Sequence, residues 1–247
     1  MTPSAPKGRR ALAAPRVRLV LFDIDGTLVW TDGAGRRAIH RALIDVFGDT
    51  GPADLWFDGK TDPQIVRELM RVVGHADAHI DEHMQTLLDL YVAYLREELQ
   101  DPTHCPRALP GVVELLHVLA EREDVVLGLL TGNLVDGARA KLEAVGIDPG
   151  LFRVGAYGSD HELRPELPAI ARERAKETLG IEVSGENLVV VGDTPADIQC
   201  GQAIGARAIG VSTGRYPSHI LTEHGAHSVF TDLSDTDAVV RAIVDDA

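Results

Sequence analysis

Six short runs rich in β-branched and aliphatic residues recur along the chain, at 17–24, 125–131, 153–158, 187–192, 206–211 and 228–231. Several do not alternate with polar residues, as in Val125-Val126-Leu127-Gly128-Leu129-Leu130 and Leu188-Val189-Val190-Val191. A strand with one wet face alternates, so runs of this kind are expected as strands buried on both faces. Helical patterns separate them. Strands alternating with helices build a parallel sheet covered on both sides, which makes the expected fold class α/β.

The alternation breaks once. Between 32 and 107 the periodicity is helical throughout. Ile39, Leu43, Val46 and Phe47 share one helical face, and Ile65, Leu69, Val72 and Val73 a second. Ile80, Met84, Leu87, Leu88, Tyr91 and Leu95 share a third. A turn-rich stretch at 101–111 closes this insert of about 75 residues. The expected organisation is a tail at 1–16, a sheet core at 17–31 and 108–247, and a helical cap at 32–107. Ligands of open α/β sheets bind beyond the carboxyl ends of the strands, so an insert leaving from that edge is placed to cover the site.

The first strand leaves through Asp23-Ile24-Asp25-Gly26-Thr27. Carboxylates two residues apart at a strand end project to the same side. Gly26 permits a tight turn behind them. Two acids at a buried edge are costly without a compensating cation. A divalent metal meets that need, and a phosphate ester is the matching substrate. Three further exits carry related groups. The second strand ends in Thr131-Gly132-Asn133, whose hydroxyl and amide suit phosphoryl oxygens. Arg164-Pro165 follows the third and offers a guanidinium for phosphate and acids. The fourth ends in Gly192-Asp193-Thr194-Pro195-Ala196-Asp197, with two more carboxylates and a proline suited to a helix start. Asp197 can also be read as a first-turn acid that simply favours the helix dipole.

Taken together, the four segments resemble the haloacid dehalogenase-like hydrolases over about 17–215. Asp23-x-Asp25-x-Thr27 is similar to that family's first motif, Thr131-Gly132-Asn133 to its second, Arg164 to its third, and Gly192-Asp193-x3-Asp197 to its fourth. Arg164 stands where the family usually has lysine, and Lys176, the nearest later lysine, falls inside a predicted helix. The resemblance implies a Rossmann-like core, a helical cap inserted after the first strand, and Mg²⁺-dependent phosphoryl transfer through an aspartyl phosphate. It implies Asp23 as nucleophile and Asp25 as acid and base. Asp23, Asp25 (through its carbonyl), Asp193 and Asp197 are the implied metal ligands, Asp197 either directly or through water. Thr131, Gly132, Asn133 and Arg164 are implied at the phosphate. An acid at position 25 argues for ester cleavage, because a leaving alkoxide needs a proton and a halide does not. The expectation is a phosphatase similar to phosphoglycolate phosphatases, acting on a small phosphorylated metabolite. A phosphomutase and a non-catalytic binding protein are the alternatives.

Within the insert, Phe57-Asp58-Gly59-Lys60-Thr61-Asp62 has two readings. Lys60 is a candidate contact for a second anionic group on the substrate. Thr61 or Asp62 is equally a cap for the next helix, with Pro63 at its start. His75, His79 and His83 recur every four residues, a conceivable metal face, but a solvated surface is the expectation. Trp30 and Trp56 are expected as packing residues. The formal net charge of -14 argues against nucleic acid as a partner and requires local positive charge at any anion site. No apolar run approaches the ~20 residues that cross a bilayer, so no membrane partner is expected. Cys105 and Cys200 form no framework, and with no signal-peptide pattern a cytoplasmic location is the expectation.

Overall fold

A computed structural model of the chain describes residues 17–245, with no side-chain description for Glu186. The tail expected at 1–16 lies outside the described residues. In chain order the elements are β1 (Arg18–Phe22), β2 (Val29–Trp30), α1 (Ala34–Phe47), α2 (Asp62–Val72), α3 (Asp77–Gln100) and β3 (Arg107–Ala108). They continue as α4 (Val112–Ala120), β4 (Val125–Leu130), α5 (Val135–Ala144), β5 (Val154–Ala156), α6 (Leu167–Leu179) and β6 (Leu188–Gly192). The last elements are α7 (Pro195–Ala203), β7 (Arg207–Val211), α8 (Ser218–Glu223), β8 (Ser228–Phe230) and α9 (Thr236–Val244).

Six of the strands form one parallel sheet in the order β5-β4-β1-β6-β7-β8. Every residue of β1, β6 and β7 is buried, as unbroken apolar runs require. Val20, Phe22, Leu127, Leu129, Val189 and Val191 face one apolar layer, packed with α4 and α9. Leu19, Leu21, Leu188 and Val190 face the other, packed with Leu167, Ala171 and Ala175 of α6 and Cys200 of α7. The fold is therefore α/β with a Rossmann-like sheet. The chain turns outward from β1 in both directions, toward β5 on one side and β8 on the other, which puts the ligand crevice beside the carboxyl end of β1.

Helices α1, α2 and α3 have an apolar core of their own, built on Ile39, Leu43, Ile65, Leu69, Leu87 and Tyr91. Val72 and Val73 do not join it, because α2 ends there and leaves both exposed, with Val66 and Met70 completing the buried stripe instead. The two ends of this insert are tied together. Val29 pairs with Ala108 and Trp30 with Arg107 in a two-stranded antiparallel ribbon, which the helical reading of 32–107 did not anticipate at its boundary. Beyond the ribbon the backbone turns left-handed at Asp32 (φ 52) and Gly33 (φ 79) to enter α1.

Candidate active site

The sheet register gathers the strand exits. Phe22 is level with Leu129 on β4 and Val191 on β6, so Asp23, Thr131 and Asp193 leave neighbouring strands within two residues of one level. Asp23, Asp193 and Asp197 are buried, and their carboxylate oxygens approach within 4.8 Å of one another. Glycine makes room for them. A Cβ on Gly26, which is left-handed at φ 80, or on Gly214 would collide with the Asp193 carboxylate, and one on Gly192 would collide with Asp197. The Thr27 hydroxyl donates to Asp193 Oδ1 at 3.0 Å.

One buried cation sits among these acids. Arg164 Nη2 lies 3.2 Å from Asp23 Oδ1 and is hydrogen-bonded to Asp197 Oδ1. Burial alone would lower the Arg164 pKa, but Asp197 and Asp23 outweigh it and hold it well above its ordinary value. Burial pushes Asp23 up to about 6 against the opposing pull of Arg164. Burial, with Asp197 and Asp23 nearby, raises Asp193 well above the carboxylate range. Asp197 does two jobs. Its Oδ2 accepts from the Thr194 amide (3.0 Å) while the Thr194 hydroxyl oxygen accepts from the Asp197 amide (3.3 Å), a capping box for α7; the Thr194 hydroxyl also donates to Oδ2 (2.7 Å), and Oδ1 holds Arg164.

Asp25 is less buried than Asp23, and its Oδ2 accepts from Asn133 Nδ2 (2.8 Å) and from Lys141 Nζ (2.6 Å). The Asn133 amide also donates to Thr131 Oγ1 at 2.8 Å. As an acceptor there, the Thr131 hydroxyl keeps its own proton to donate. Lys141, on α5, has no counterpart among the residues expected from the sequence. It is buried, and the only signal was a lysine in line with Gly137, Ala138 and Leu142 on the buried stripe of its helix.

The insert docks on this edge through the loop before α2. The Asp62 amide donates to the Gly132 carbonyl at 2.8 Å, and the Leu134 amide donates back to Asp62 Oδ2 at 2.9 Å. A side chain at Gly132 would collide with the Lys60 carbonyl, so this contact needs glycine. Thr61 caps α2, accepting from the Gln64 amide, and its hydroxyl donates to the Glu162 carbonyl at 2.5 Å. Lys60 is half-buried and ion-paired with Glu68. Trp30 and Trp56, expected as packing residues, are 41% and 55% exposed and line the cavity. The Arg215 guanidinium stacks on Trp56 with its carbon 2.9 Å from the ring centre. A cavity of about 640 Å³ runs between the insert and the sheet edge and contains Asp23, Asp25, Thr131, Arg164, Asp193 and Lys141. Arg36, Lys60 and Arg215 line it too, which supplies positive charge against a net -14. Away from it, His79, Glu82 and His83 approach within 4.8 Å of one another on the surface of α3.

The family model of the haloacid dehalogenase-like hydrolases matches residues 20–202, most of the chain and all four strand-exit segments. The chain belongs to that family. Within it, this hydrolase sits with the phosphatases. It is 30% identical to the phosphoglycolate phosphatase of Rhodospirillum rubrum over 224 residues, 88% of each chain. It is 25% identical to the pyrophosphatase PpaX of Listeria welshimeri, over 92% of this chain and 97% of that one. A hydrolase structure from Pseudomonas syringae shares the fold, with a TM-score of 0.69 at 23% identity over 92% of this hydrolase and 99% of that chain. No helix among the described residues is long and apolar enough to cross a membrane.

Asp62 gives the cavity wall of this hydrolase a pH dependence. It is buried, and burial raises it to about 6, against the opposing effects of Lys141 and the Leu134 amide. The folded state thus keeps a proton that the unfolded chain releases near 3.8. The stability this contributes is fully present below that value and is lost as pH rises through about 6, an effect of about 3 kcal/mol at most. The advantage of wild type over Asp62→Asn in thermal melts should therefore shrink from pH 4 to pH 7. A constant difference would contradict this account of Asp62.

Proposed function

We propose that the protein is a Mg²⁺-dependent phosphomonoesterase that passes the phosphoryl group through Asp23, with residues 32–107 acting as a cap over the site. The observation that carries this reading is the meeting of Asp23, Asp25, Asp193 and one buried guanidinium, Arg164, in a single cavity at the sheet edge. The donor set suits a hard divalent ion. Three buried acids share one cation, and two of them, Asp23 and Asp193, are raised by burial and by neighbouring carboxylates, a cost that bound positive charge removes. Asp23, Asp193 and the Asp25 carbonyl would hold Mg²⁺. Both oxygens of Asp197 already have partners, so its role is to fix Arg164 and, through water, the ion. Bound there, Mg²⁺ would offset charge on the phosphoryl oxygens.

Asp23 attacks phosphorus, and its oxygen bonds to phosphorus as the ester bond breaks. Asp25 gives a proton to the departing alkoxide, then takes one from the water that hydrolyses the aspartyl phosphate. Arg164 and the Thr131 hydroxyl hold non-bridging oxygens throughout. The cations Arg36, Lys60 and Arg215 on the same cavity favour a small ester with a second anionic group, and the Rhodospirillum rubrum relative makes phosphoglycolate the first to try. Phosphate release should be measured across a panel of small phosphomonoesters, with Mg²⁺ and with chelator. Mg²⁺-dependent release, greatest on an acidic ester, is the expected result. No release from any ester would overturn the reading, and transfer between sugar positions without release would make the protein a mutase.

A further inference from the structure

Every contact on the Asp25 carboxylate falls on one oxygen. Asn133 Nδ2 and Lys141 Nζ both meet Oδ2, at 2.8 Å and 2.6 Å, and no hydrogen bond among the described residues reaches Oδ1. The third side of the triangle is closed, because Lys141 Nζ also donates to Asn133 Oδ1 at 2.6 Å. That bond settles which way the Asn133 amide faces, since only its oxygen can accept from an ammonium. The lysine side chain is 5% exposed, whereas that of Asp25 is 44% exposed. An ordinary surface ion pair does not bury its lysine.

The lysine is also enclosed by the insert. The Cα of Gly35 on α1 faces its ammonium closely enough that an added Cβ would sit 3.5 Å from Nζ and 3.7 Å from the Tyr91 hydroxyl. Tyr91 on α3 lies 3.4 Å from Asp62, and the Lys141 charge favours ionised Asp62. Helix α5 therefore sends a buried cation to the point where α1, α2 and α3 close on the sheet edge.

We propose that Lys141 is a positioning residue for Asp25, anchoring Oδ2 so that Oδ1 is the atom presented to the leaving oxygen and then to the attacking water. This rests on the phosphatase reading above. It assigns Lys141 no contact with substrate, because its Nζ already has two protein partners in the triangle and the phosphoryl-binding roles fall to Arg164 and Thr131. Loss of Lys141 leaves Oδ2 held by Asn133 alone, itself deprived of the Lys141 bond to its Oδ1, and the loosened carboxylate costs the proton-transfer step its geometry.

The test is Lys141→Met, which keeps the stem and removes the charge, measured with an alkyl phosphate and with 4-nitrophenyl phosphate. Protonation matters greatly for an alkoxide and little for nitrophenolate. For the alkyl ester kcat/KM should fall ~10²-fold or more, and for the aryl ester less than ~10-fold, with KM little changed for either. In an Asp25→Asn background the same substitution should cost almost nothing further, since two residues acting as a unit are not additive. Melting curves identify any variant that has lost its fold, and Lys141→Gln, which retains a donor, then takes its place. Equal losses on both esters, a rise in KM on both, or an undiminished cost in the Asp25→Asn background would each overturn the proposal. Wild-type turnover that disappears with Asp23→Asn establishes the phosphatase reading separately, so the two ideas fail by different results.

Discussion

Asp23→Asn should abolish phosphate release, by a factor of at least ~10³, while leaving the protein as stable as before or more so. The loss of rate follows from chemistry: an amide oxygen is too poor a nucleophile to displace an alkoxide from phosphorus. The stability argument comes from the surroundings. Asp23 is buried, and burial has pushed it up to about 6, so at neutral pH its ionised form is held at a cost. An asparagine of the same shape removes that cost and can still accept from Arg164 through its oxygen. A melt and a phosphate assay on the same sample therefore move independently. Turnover within tenfold of wild type would remove Asp23 as nucleophile. A large drop in melting temperature would show that the side chain supports the fold in a way its neighbours do not reveal.

Arg164→Met is the reverse case, with a large effect on both readouts. The guanidinium pairs with Asp23 and Asp197 in a buried cluster that also holds Asp193. Without it three acids face one another with no cation, and breaking a buried pair from one side costs about 3–5 kcal/mol. For a chain of this length that is a fall of about 10 °C in melting temperature, together with at least ~10²-fold in activity once the phosphoryl oxygens lose their fork. Added Mg²⁺ should recover part of the lost stability and little of the activity. Arg164→Lys retains charge without the two-pronged geometry and should lie between the two. A melting temperature unchanged in Arg164→Met would mean that the acids had shed their charge without its help.

The core was readable from the sequence because strands buried on both faces carry no polar alternation. The strand-exit acids were readable because glycine and proline mark the turns that present them. Lys141 was not. Nothing local distinguishes it from a solvated helix lysine, and its partners Asp25 and Asn133 come from two other elements. Its place between Ala138 and Leu142 on the buried stripe was the one available sign. Asp62 was legible only as part of a helix start, since its second role depends on the Leu134 amide, far away in sequence. Trp56 was misread because size and aromaticity suggest packing, whereas here the ring supports an arginine at the cavity wall.

The ribbon joining Val29–Trp30 to Arg107–Ala108 has a consequence for how such an enzyme can diversify. The outgoing and returning strands are stapled side by side, so the insert enters and leaves the core at one place, apart from its docking contacts at Gly132, Leu134 and Glu162. Changes of length or shape within 32–107 that keep those contacts leave the register of β1 undisturbed, and with it the spacing of Asp23 and Asp25. Under the reading proposed above, Arg36 and Lys60 of the insert bear on substrate choice while the strand-exit acids belong to the core, so mutation within 32–107 can revise the first with the second held fixed.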